Sequence, residues 1–395
     1  MPEDSFVHLH VASGYSLRHG ASSPAALVAR AAALGQDSLA LTDRDGLYGA
    51  VRFVLACRDA GIAPIVGVDL AFAAPTPQGA HGTTLGSRVQ RTSAGRVGQG
   101  PTLAERTSIR RTPARGGREI DQRHSRVVLL ARGQSGWASL CRLVSAAHLG
   151  LESQISSGDM PQLNAMDSTN REFHGDDAPI IAAQGRRGSP VASLELIAQH
   201  SDGLVALLGP QSDVGHAIMR RRPDQALQAL GFWREVFGRR LAIEIVSHRA
   251  RDSALAVTDV SGVAVRGLPY SSAAAARMLS FAREQQIPAI LAAAVRHAER
   301  DQAPVIDVLD AIRRLVPLDS RHLDRANGEG HLADGAHMRE LATEIVHLSG
   351  LARDEGRAGR EVDRLLADTR QLAQACRLDP IADLGIGEVH VPELI

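Results

Sequence analysis

The chain has 395 residues, enough for two or three domains or for one large α/β barrel with a small appendage. Lys plus Arg and Asp plus Glu each number 44, so the formal net charge is zero and excludes a global field that would attract nucleic acid. Aromatic residues make up only 3%, which leaves few surfaces for stacking bases. The three widely spaced cysteines, Cys57, Cys141 and Cys376, favour reduced thiols in a cytoplasmic protein. The sequence contains no signal-peptide pattern and no apolar run long enough for a membrane span, so we expect no membrane association.

Short apolar runs alternate with amphipathic segments over the first 300 residues. The runs predict buried strands at 7–10, 38–41, 63–72, 126–131, 203–208, 240–246 and 288–293. Helices are predicted between them, at 24–34, 49–60, 136–149, 193–200, 224–237 and 271–286. Strands that alternate with helices indicate parallel pairing with right-handed crossovers. Seven such strands are the number that a distorted (β/α)7 barrel of the TIM-like class requires.

Two stretches interrupt this alternation. Residues 75–125 are rich in Gly, Pro, Ser, Thr and Arg, and nine arginines against three acidic residues give this stretch a charge of +6. We interpret it as a disordered insertion, which is either a solubilising loop or, through its arginines at 88–123, a contact for the DNA backbone. Residues 150–190 are polar and rich in turn-forming residues, and are predicted to be a second insertion of loops.

The pattern becomes helical after Pro304. Helices are predicted at 305–315, 335–348 and 361–376, with a linker at 319–334. We therefore expect a barrel domain at 1–300 and a mostly helical extension at 301–395. Four histidines outside the predicted strands are expected on the surface or in the insertion, namely His124, His331, His337 and His347.

Histidines and acids lie at or just beyond the first three predicted strands. They are His8, His10, His19, Asp43, Asp45 and Asp69. Because the ends of parallel strands converge on one face of a barrel, these side chains are predicted to share one pocket. Imidazole and carboxylate groups in such a pocket are typical of a metal-dependent phosphoesterase.

Several motifs carry a resemblance to a known family. FVHLH at 6–10, TDRDGLYGAVRF at 42–53, SGWASLCRLVSAAHLG at 135–150 and GIGEVHVPE at 385–393 resemble the polymerase and histidinol phosphatase (PHP) domain of bacterial DNA polymerase III alpha subunits, most closely the error-prone type. The resemblance covers nearly the whole chain as an N-terminal part of such a subunit. It implies a PHP barrel followed by the start of the polymerase palm, with the catalytic palm carboxylates lying beyond Ile395.

The same resemblance implies a site for up to three metal ions, but only part of its ligand set is present. The positions that keep a ligand are His10, His19, Asp69 and His297. The positions that have lost one carry Ala12, Arg44, Arg126, Pro210 and Val295. An arginine is always protonated and cannot ligate a metal, so Arg44 and Arg126 are expected to pair with pocket acids. We expect either one weakly bound divalent ion (Zn, Mn or Mg) or none.

Other residues could line this pocket without binding metal. They are His8, Asp43, Arg44, Asp45, Arg126, Glu244 and His248. Asp43 and Asp45 could simply cap the next helix, Asp69 could be the partner of Arg44, and Glu244 with His248 could form structural ion pairs.

Three functions remain open. The first is a structural PHP module of an error-prone DNA polymerase III alpha-like protein, taking part in replication and damage-tolerant synthesis without polymerase activity of its own. Its partners would be the remaining polymerase domains or other replication and repair proteins. The second is a metal-dependent phosphoesterase or 3′–5′ exonuclease of the PHP family. The third is a nucleic-acid-binding accessory module. The sequence alone leaves open whether the chain is an enzyme.

Overall fold

A computed structural model describes residues 6–74, 124–150, 190–250, 257–258, 264–265, 270–319, 326–351 and 354–387. The predicted insertion at 75–125 and the predicted loops at 150–190 fall almost entirely outside these residues. The structure has a six-stranded curled sheet, surrounded by helices and followed by a helical C-terminal part. The fold is therefore α/β and barrel-like, as predicted.

The strands of the main sheet follow their sequence order around the barrel. They are β1 (Ser38–Arg44), β2 (Ala63–Phe72), β3 (Ser125–Ala131), β4 (Leu204–Leu208), β5 (Leu241–Val246) and β8 (Ala289–Ala292). A separate antiparallel pair is formed by β6 (Val257–Thr258) and β7 (Ala264–Val265). β3 runs antiparallel to both of its neighbours, whereas the other pairs of the main sheet are parallel. The expectation of a wholly parallel sheet was therefore wrong at β3.

The predicted first strand at 7–10 is an extended segment rather than a regular strand. Its backbone is bonded on both sides, since the amide of Ala40 donates to the carbonyl of His8 and the amide of Val295 donates to the carbonyl of His10. Val11 and Val295 also form a parallel bridge. The segment 8–12 thus lies between β1 and the residues after β8. It occupies the position of a seventh strand and closes the barrel.

Helices cover the outside of the sheet. In chain order they are α1 (Pro24–Ala33), α2 (Ala50–Ala60), α3 (Gly133–Leu149), α4 (Leu194–Gln199), α5 (Asp213–Met219), α6 (Pro223–Phe237) and α7 (Ser272–Glu284). Local sequence fixes the starts of α1, α4 and α7, because Ser23, Ser193 and Ser271 each cap a helix by accepting a backbone N–H bond. Among these helices, α5 was not foreseen from the sequence. No helix in the described ranges is both long and apolar enough to traverse a bilayer.

Alternate residues of the strands point into two separate apolar layers. Ile65, Val128 and Leu207 belong to a cluster inside the barrel, while Val66, Leu129 and Leu208 face the helices. Side chains therefore fill the barrel interior, and the polar groups are left at its two ends.

The C-terminal part consists of a short 3-10 turn (Arg300–Gln302) and three helices, α8 (Ala303–Arg314), α9 (Gly335–Ser349) and α10 (Glu355–Ala375). Helix α9 packs on α7, and α10 packs along β8, where the hydroxyl of Thr369 accepts the amide of Leu291 at 2.9 Å. Both apolar faces are buried in the common core. These two helices therefore form part of the wall of the barrel.

Residues 326–334 do not behave as the predicted linker. Leu332 is fully buried, and the carbonyl of Ala333 accepts bonds from His8 at 2.9 Å and from Gln36 at 3.1 Å. His331 is only 8% exposed, so its predicted surface position was also wrong. The segment is bound to the barrel because its backbone accepts bonds from the side chains of His8 and Gln36, which both precede β1.

Candidate functional site at the barrel mouth

The polar groups at the carboxyl ends of the parallel strands converge on one pocket. Its polar lining residues are His10, Asp69, Arg126, Gln211, Glu244 and Tyr270. Apolar side chains from the barrel interior, Val128, Leu207 and Val246, also line it. β3 contributes Arg126 from its amino end because this strand runs in the opposite direction to its neighbours.

Asp69 is the centre of the charge network in this pocket. It is 4% exposed, and its two carboxylate oxygens are bound by different arginines. Arg44 Nε donates to Oδ2 at 3.1 Å, and Arg126 Nε donates to Oδ1 at 2.9 Å. Burial alone would raise the pKa of Asp69, but the guanidinium groups of Arg126 and Arg44 lower it to about 2. Asp69 is therefore a carboxylate at any physiological pH.

Arg126 extends the network to a second acid. Its Nη2 donates to Asp45 Oδ1 at 2.9 Å and to the carbonyl of Asp69 at 2.6 Å. Burial disfavours the charged guanidinium, but Asp69 and Asp45 more than compensate for this and raise the pKa of Arg126. The backbone of Asp45 adopts a φ of 54°, and His148 donates to its carbonyl at 2.6 Å. Asp45 is thus held as a partner of Arg126 and does not cap the next helix, as had been considered from the sequence.

A second pair lies on the opposite side of the pocket. His10 Nδ1 is 2.7 Å from Glu244 Oε1, and the side chain of Glu244 is only 3% exposed. Burial works against a charged imidazole, but the adjacent carboxylate of Glu244 outweighs it and raises the pKa of His10. Glu244 therefore pairs with His10 and not with His248.

Gln211 and Tyr270 connect the network to the pocket wall. Arg44 Nη2 donates to Gln211 Oε1 at 3.3 Å, and Gln211 Nε2 donates to the hydroxyl of Tyr270 at 2.5 Å. Burial raises the pKa of Tyr270 to about 12, so its hydroxyl keeps its proton. Sequence reasoning missed both residues. Gln211 follows a predicted strand and could have been noticed, whereas Tyr270 follows a stretch with no interpretable periodicity.

Asp43 lies outside this network. Its carboxylate accepts bonds from the amide and hydroxyl of Ser13 and from the hydroxyl of Ser16, at 2.7 to 3.0 Å. Burial raises its pKa despite these bonds. Asp43 therefore fixes the 13–16 loop against the end of β1, and the two serines were not predicted.

The remaining predicted histidines are engaged elsewhere. His8 is fully buried, and burial lowers its pKa to about 4. His248 donates to the carbonyl of Ala293 at 2.6 Å and stacks on Tyr270. His297 donates from Nδ1 to the carbonyl of Glu299 at 2.7 Å and stacks with His331 at a ring-centre distance of 6.5 Å.

Only two of the four positions predicted to keep a metal ligand thus lie at the pocket. His10 and Asp69 line the pocket, but neither His19 nor His297 does. Burial and then the charges of Arg44 and Arg296 hold the pKa of His19 well below its usual value. Within the described residues, no group of three or more His, Cys, Asp or Glu side chains has a geometry that could hold a metal ion.

Three positions without a donor group are buried or line the pocket. Ala12 and Val295 are buried, and Pro210 lines the pocket. A site for several metal ions needs several free oxygen or nitrogen donors at once. Asp69 here has both oxygens bound to guanidinium groups, and one nitrogen of His10 is bound to Glu244. The described residues of this pocket therefore do not fit a multinuclear metal centre.

Comparison with known proteins is consistent with this architecture. The model of the PHP domain matches residues 8–248, and the chain belongs to that family. An error-prone DNA polymerase from Symbiobacterium thermophilum is 27% identical over 381 residues, which are 96% of this chain and 26% of that protein. The DNA polymerase III subunit alpha of Saccharopolyspora erythraea is 23% identical over 343 residues, which are 86% of this chain and 23% of that protein. The chain thus spans about a quarter of the length of these relatives.

Among solved structures, an amidohydrolase from Chromobacterium violaceum is similar with a TM-score of 0.34 and 16% identity. The similarity covers 73% of this chain and 86% of that protein.

Proposed function

We propose that this chain is the PHP module of an error-prone DNA polymerase III alpha-like protein, in which the barrel is a structural element with a degenerate metal site. The observation that supports the proposal most directly is the double engagement of Asp69 by Arg44 and Arg126. In the resemblance described above, Asp69 stands at a ligand position and the two arginines stand where histidines ligate.

Electrostatics explains why these substitutions oppose metal binding. A divalent cation at Asp69 would lie beside two fixed positive charges in a buried pocket, where screening by water is weak. To bind there, the ion would have to displace at least one guanidinium from a charge-assisted hydrogen bond. The displaced guanidinium would remain in the pocket without its partner, which is costly for a buried charge.

The comparisons and this pocket support the proposed role. The similarity to replicative and error-prone polymerases covers about a quarter of their length. We assign DNA synthesis in replication and repair to the parts of such polymerases outside the match, and we take those parts as partners of this chain. On this proposal the protein acts in the cytoplasm, and it has neither polymerase nor phosphoesterase activity alone.

The test is metal binding and hydrolysis by the purified chain. After treatment with a chelator, the protein is loaded with Zn, Mn or Mg, and the bound metal is measured by mass spectrometry together with hydrolysis of a phosphodiester and of a single-stranded DNA 3′ end. We expect much less than one equivalent of bound metal and no turnover. A variant with restored donors, Ala12→His with Arg44→His and Arg126→His, is the matched control and should bind more metal.

A contrary outcome would support the second function, a PHP phosphoesterase or exonuclease. One or more tightly bound equivalents in the unchanged chain, with turnover that His10→Ala abolishes, would refute the proposal. A single weak equivalent without turnover that His10→Ala removes would instead assign a residual site to His10 and Asp69, and would leave the structural role in place.

A further inference from the structure

The rim of the barrel beside the pocket carries the most exposed apolar side chains in the described residues. Leu17, Leu149 and Tyr48 are 79, 70 and 67% exposed, the three highest fractions among the large apolar side chains there. Leu17 lies in the 13–20 loop, Tyr48 precedes α2, and Leu149 is the last residue of α3. We call this surface the Tyr48 rim and define it by Tyr15, Leu17, Arg18, Tyr48, Arg52 and His148.

Ring contacts join these segments into one surface. The ring centres of Tyr48 and His148 are 6.1 Å apart, and the two rings are inclined by 75°. The guanidinium carbon of Arg52 lies 6.0 Å from the ring centre of Tyr15. A β-carbon on Gly49 would lie 3.1 Å from the ring of Tyr15, so the loop that carries Tyr15 packs directly on the start of α2.

The backbone around the Tyr48 rim holds it in a fixed shape. Asp43 binds the loop against the end of β1, and His148 donates to the carbonyl of Asp45 at 2.6 Å. The ring of Tyr48 lies against the backbone of Gly46, since a β-carbon there would be 2.5 Å from Tyr48 Cε2. Because the rim is already ordered, a ligand that binds it loses little affinity to the ordering of side chains.

The Tyr48 rim has a local excess of positive charge. Arg18 and Arg52 are exposed, and neither has an ion-pair partner among the described carboxylates. The two acids beside the rim are already bonded, Asp43 to serine hydroxyls and Asp45 to Arg126. An anionic ligand is therefore favoured here, although the whole chain has no net charge.

The exposed ring of Tyr48 indicates which kind of anion fits. No other Phe, Trp or Tyr side chain is exposed in the part of the chain that the structure describes. Single-stranded nucleic acid offers unpaired bases that stack on aromatic rings and phosphates that bind arginine. An acidic peptide would use the arginines but leave the ring uncovered, and in a duplex the faces of the bases already stack on one another.

We propose that the Tyr48 rim binds single-stranded DNA, with one base stacked on Tyr48 and the adjoining phosphates bound by Arg18 and Arg52. The choice of DNA over RNA rests on the proposed function, in which the chain is part of a DNA polymerase. The stacking and the charge contacts rest on the rim itself. The bound strand would lie beside the pocket, because His148 of the rim bonds to Asp45, and Asp45 bonds to Arg126.

Fluorescence anisotropy of a labelled oligonucleotide of about a dozen nucleotides is the test, with the full chain in a buffer that contains a chelator. Tyr48→Ala should weaken binding by about 5- to 150-fold, which is the effect of losing one stacked base, whereas Tyr48→Phe should retain it. An abasic strand of the same length should bind the unchanged chain as weakly as the normal strand binds Tyr48→Ala, because it offers phosphates without bases.

Salt dependence tests the two arginines. Arg18→Ala and Arg52→Ala should each reduce the slope of log K against log salt concentration by about 0.7, the contribution of one phosphate contact to a single strand. Arg58→Ala is the matched control, since Arg58 lies at the other end of α2 and pairs with Asp59. It should leave both the affinity and the slope unchanged.

The contrary outcomes are separate from those of the metal-binding test. Absence of binding at low salt, or salt-dependent binding that neither Tyr48→Ala nor the abasic strand weakens, would overturn the proposal. Displacement of the DNA by polyglutamate at equal charge concentration would assign the rim to an acidic protein partner instead. Tighter binding of the RNA strand of the same sequence would overturn the choice of DNA. Because the chelator removes metal ions, none of these results depends on whether the pocket can bind one.

Discussion

Replacing Asp69 by asparagine should destabilise the protein far more than the loss of one surface charge. Asp69 is almost fully buried, and its carboxylate is bound by two guanidinium groups whose side chains are 11% and 19% exposed. Removing one partner from a buried ion pair costs about 3 to 5 kcal/mol, because the remaining charge cannot be solvated. For Asp69→Asn two guanidinium groups lose that partner, although Arg126 keeps its bonds to Asp45. We therefore expect a loss of about 3 to 5 kcal/mol in the free energy of unfolding.

Acid titration gives a second measure of the same network. The pKa of Asp69 is about 2 in the folded chain, against an ordinary value of 3.8. Because the folded value is the lower one, the ionised carboxylate stabilises the native state above about pH 4, and this contribution is lost as the pH falls toward 2. Lowering the pKa from 3.8 to about 2 corresponds to about 2.5 kcal/mol. In Asp69→Asn this part of the acid dependence should be missing.

Urea unfolding at several pH values is the assay, with Asp59→Asn as the control. Asp59 pairs with Arg58 on the surface, where both side chains are at least 60% exposed, so its replacement should change stability by less than about 1 kcal/mol. If the two variants lose the same stability at neutral pH, the pairing of Asp69 with the arginines is not a buried ion pair, and the argument against a metal at this carboxylate loses its basis.

The remaining predictions concern the second pair and the C-terminal helices. The pKa of His10 is raised in the folded chain, so its pairing with Glu244 should contribute fully to stability below about pH 6.5 and be lost as the pH rises through the raised value. Glu244→Gln should remove this pH dependence from the stability curve and lower the pKa of His10 in an NMR titration. A β-carbon on Gly209 would meet the Glu244 carboxylate, so Gly209→Ala should cost about 1 to 3 kcal/mol in urea unfolding, whereas Gly231→Ala, with open space around it, should not destabilise. Deleting residues 301–395 should leave a chain without cooperative unfolding by circular dichroism, because α9 and α10 cover α7 and β8; a cooperative barrel would show instead that the two parts are independent domains.

The sequence predicted the strands well because each is a short apolar run bounded by turn-forming residues. It could not predict the direction of β3, since the periodicity of a strand is the same in both directions and the chain before it, 75–123, carries no pattern. The closing segment 8–12 was located correctly, but its irregular form was not foreseen. The prediction of a linker at 319–334 was wrong for residues 326–334. This segment has few apolar residues that would indicate packing, and its backbone bonds to the barrel cannot be recognised in the sequence.

Within the site, the sequence predicted which residues would form ion pairs better than it predicted which partner each would choose. The requirement that buried arginines be neutralised predicted that Arg44 and Arg126 would bind acids, and both bind Asp69. The choice between His10 and His248 as the partner of Glu244 depends on closure of the barrel, which brings residues 234 positions apart within 2.7 Å. No local pattern carries that information.

The carboxylates at the barrel mouth must be neutralised in some way, whatever else the site does. Asp45, Asp69 and Glu244 are matched here by the guanidinium groups of Arg44 and Arg126 and by the imidazole of His10. Because the pocket is buried, the effects of replacing Arg44 and Arg126 depend on each other. Changing one arginine to a neutral histidine leaves a carboxylate with too little positive charge around it. Replacing either arginine alone should therefore give a less stable barrel, and the control with restored donors needs bound metal ions to supply the positive charge that both arginines supplied.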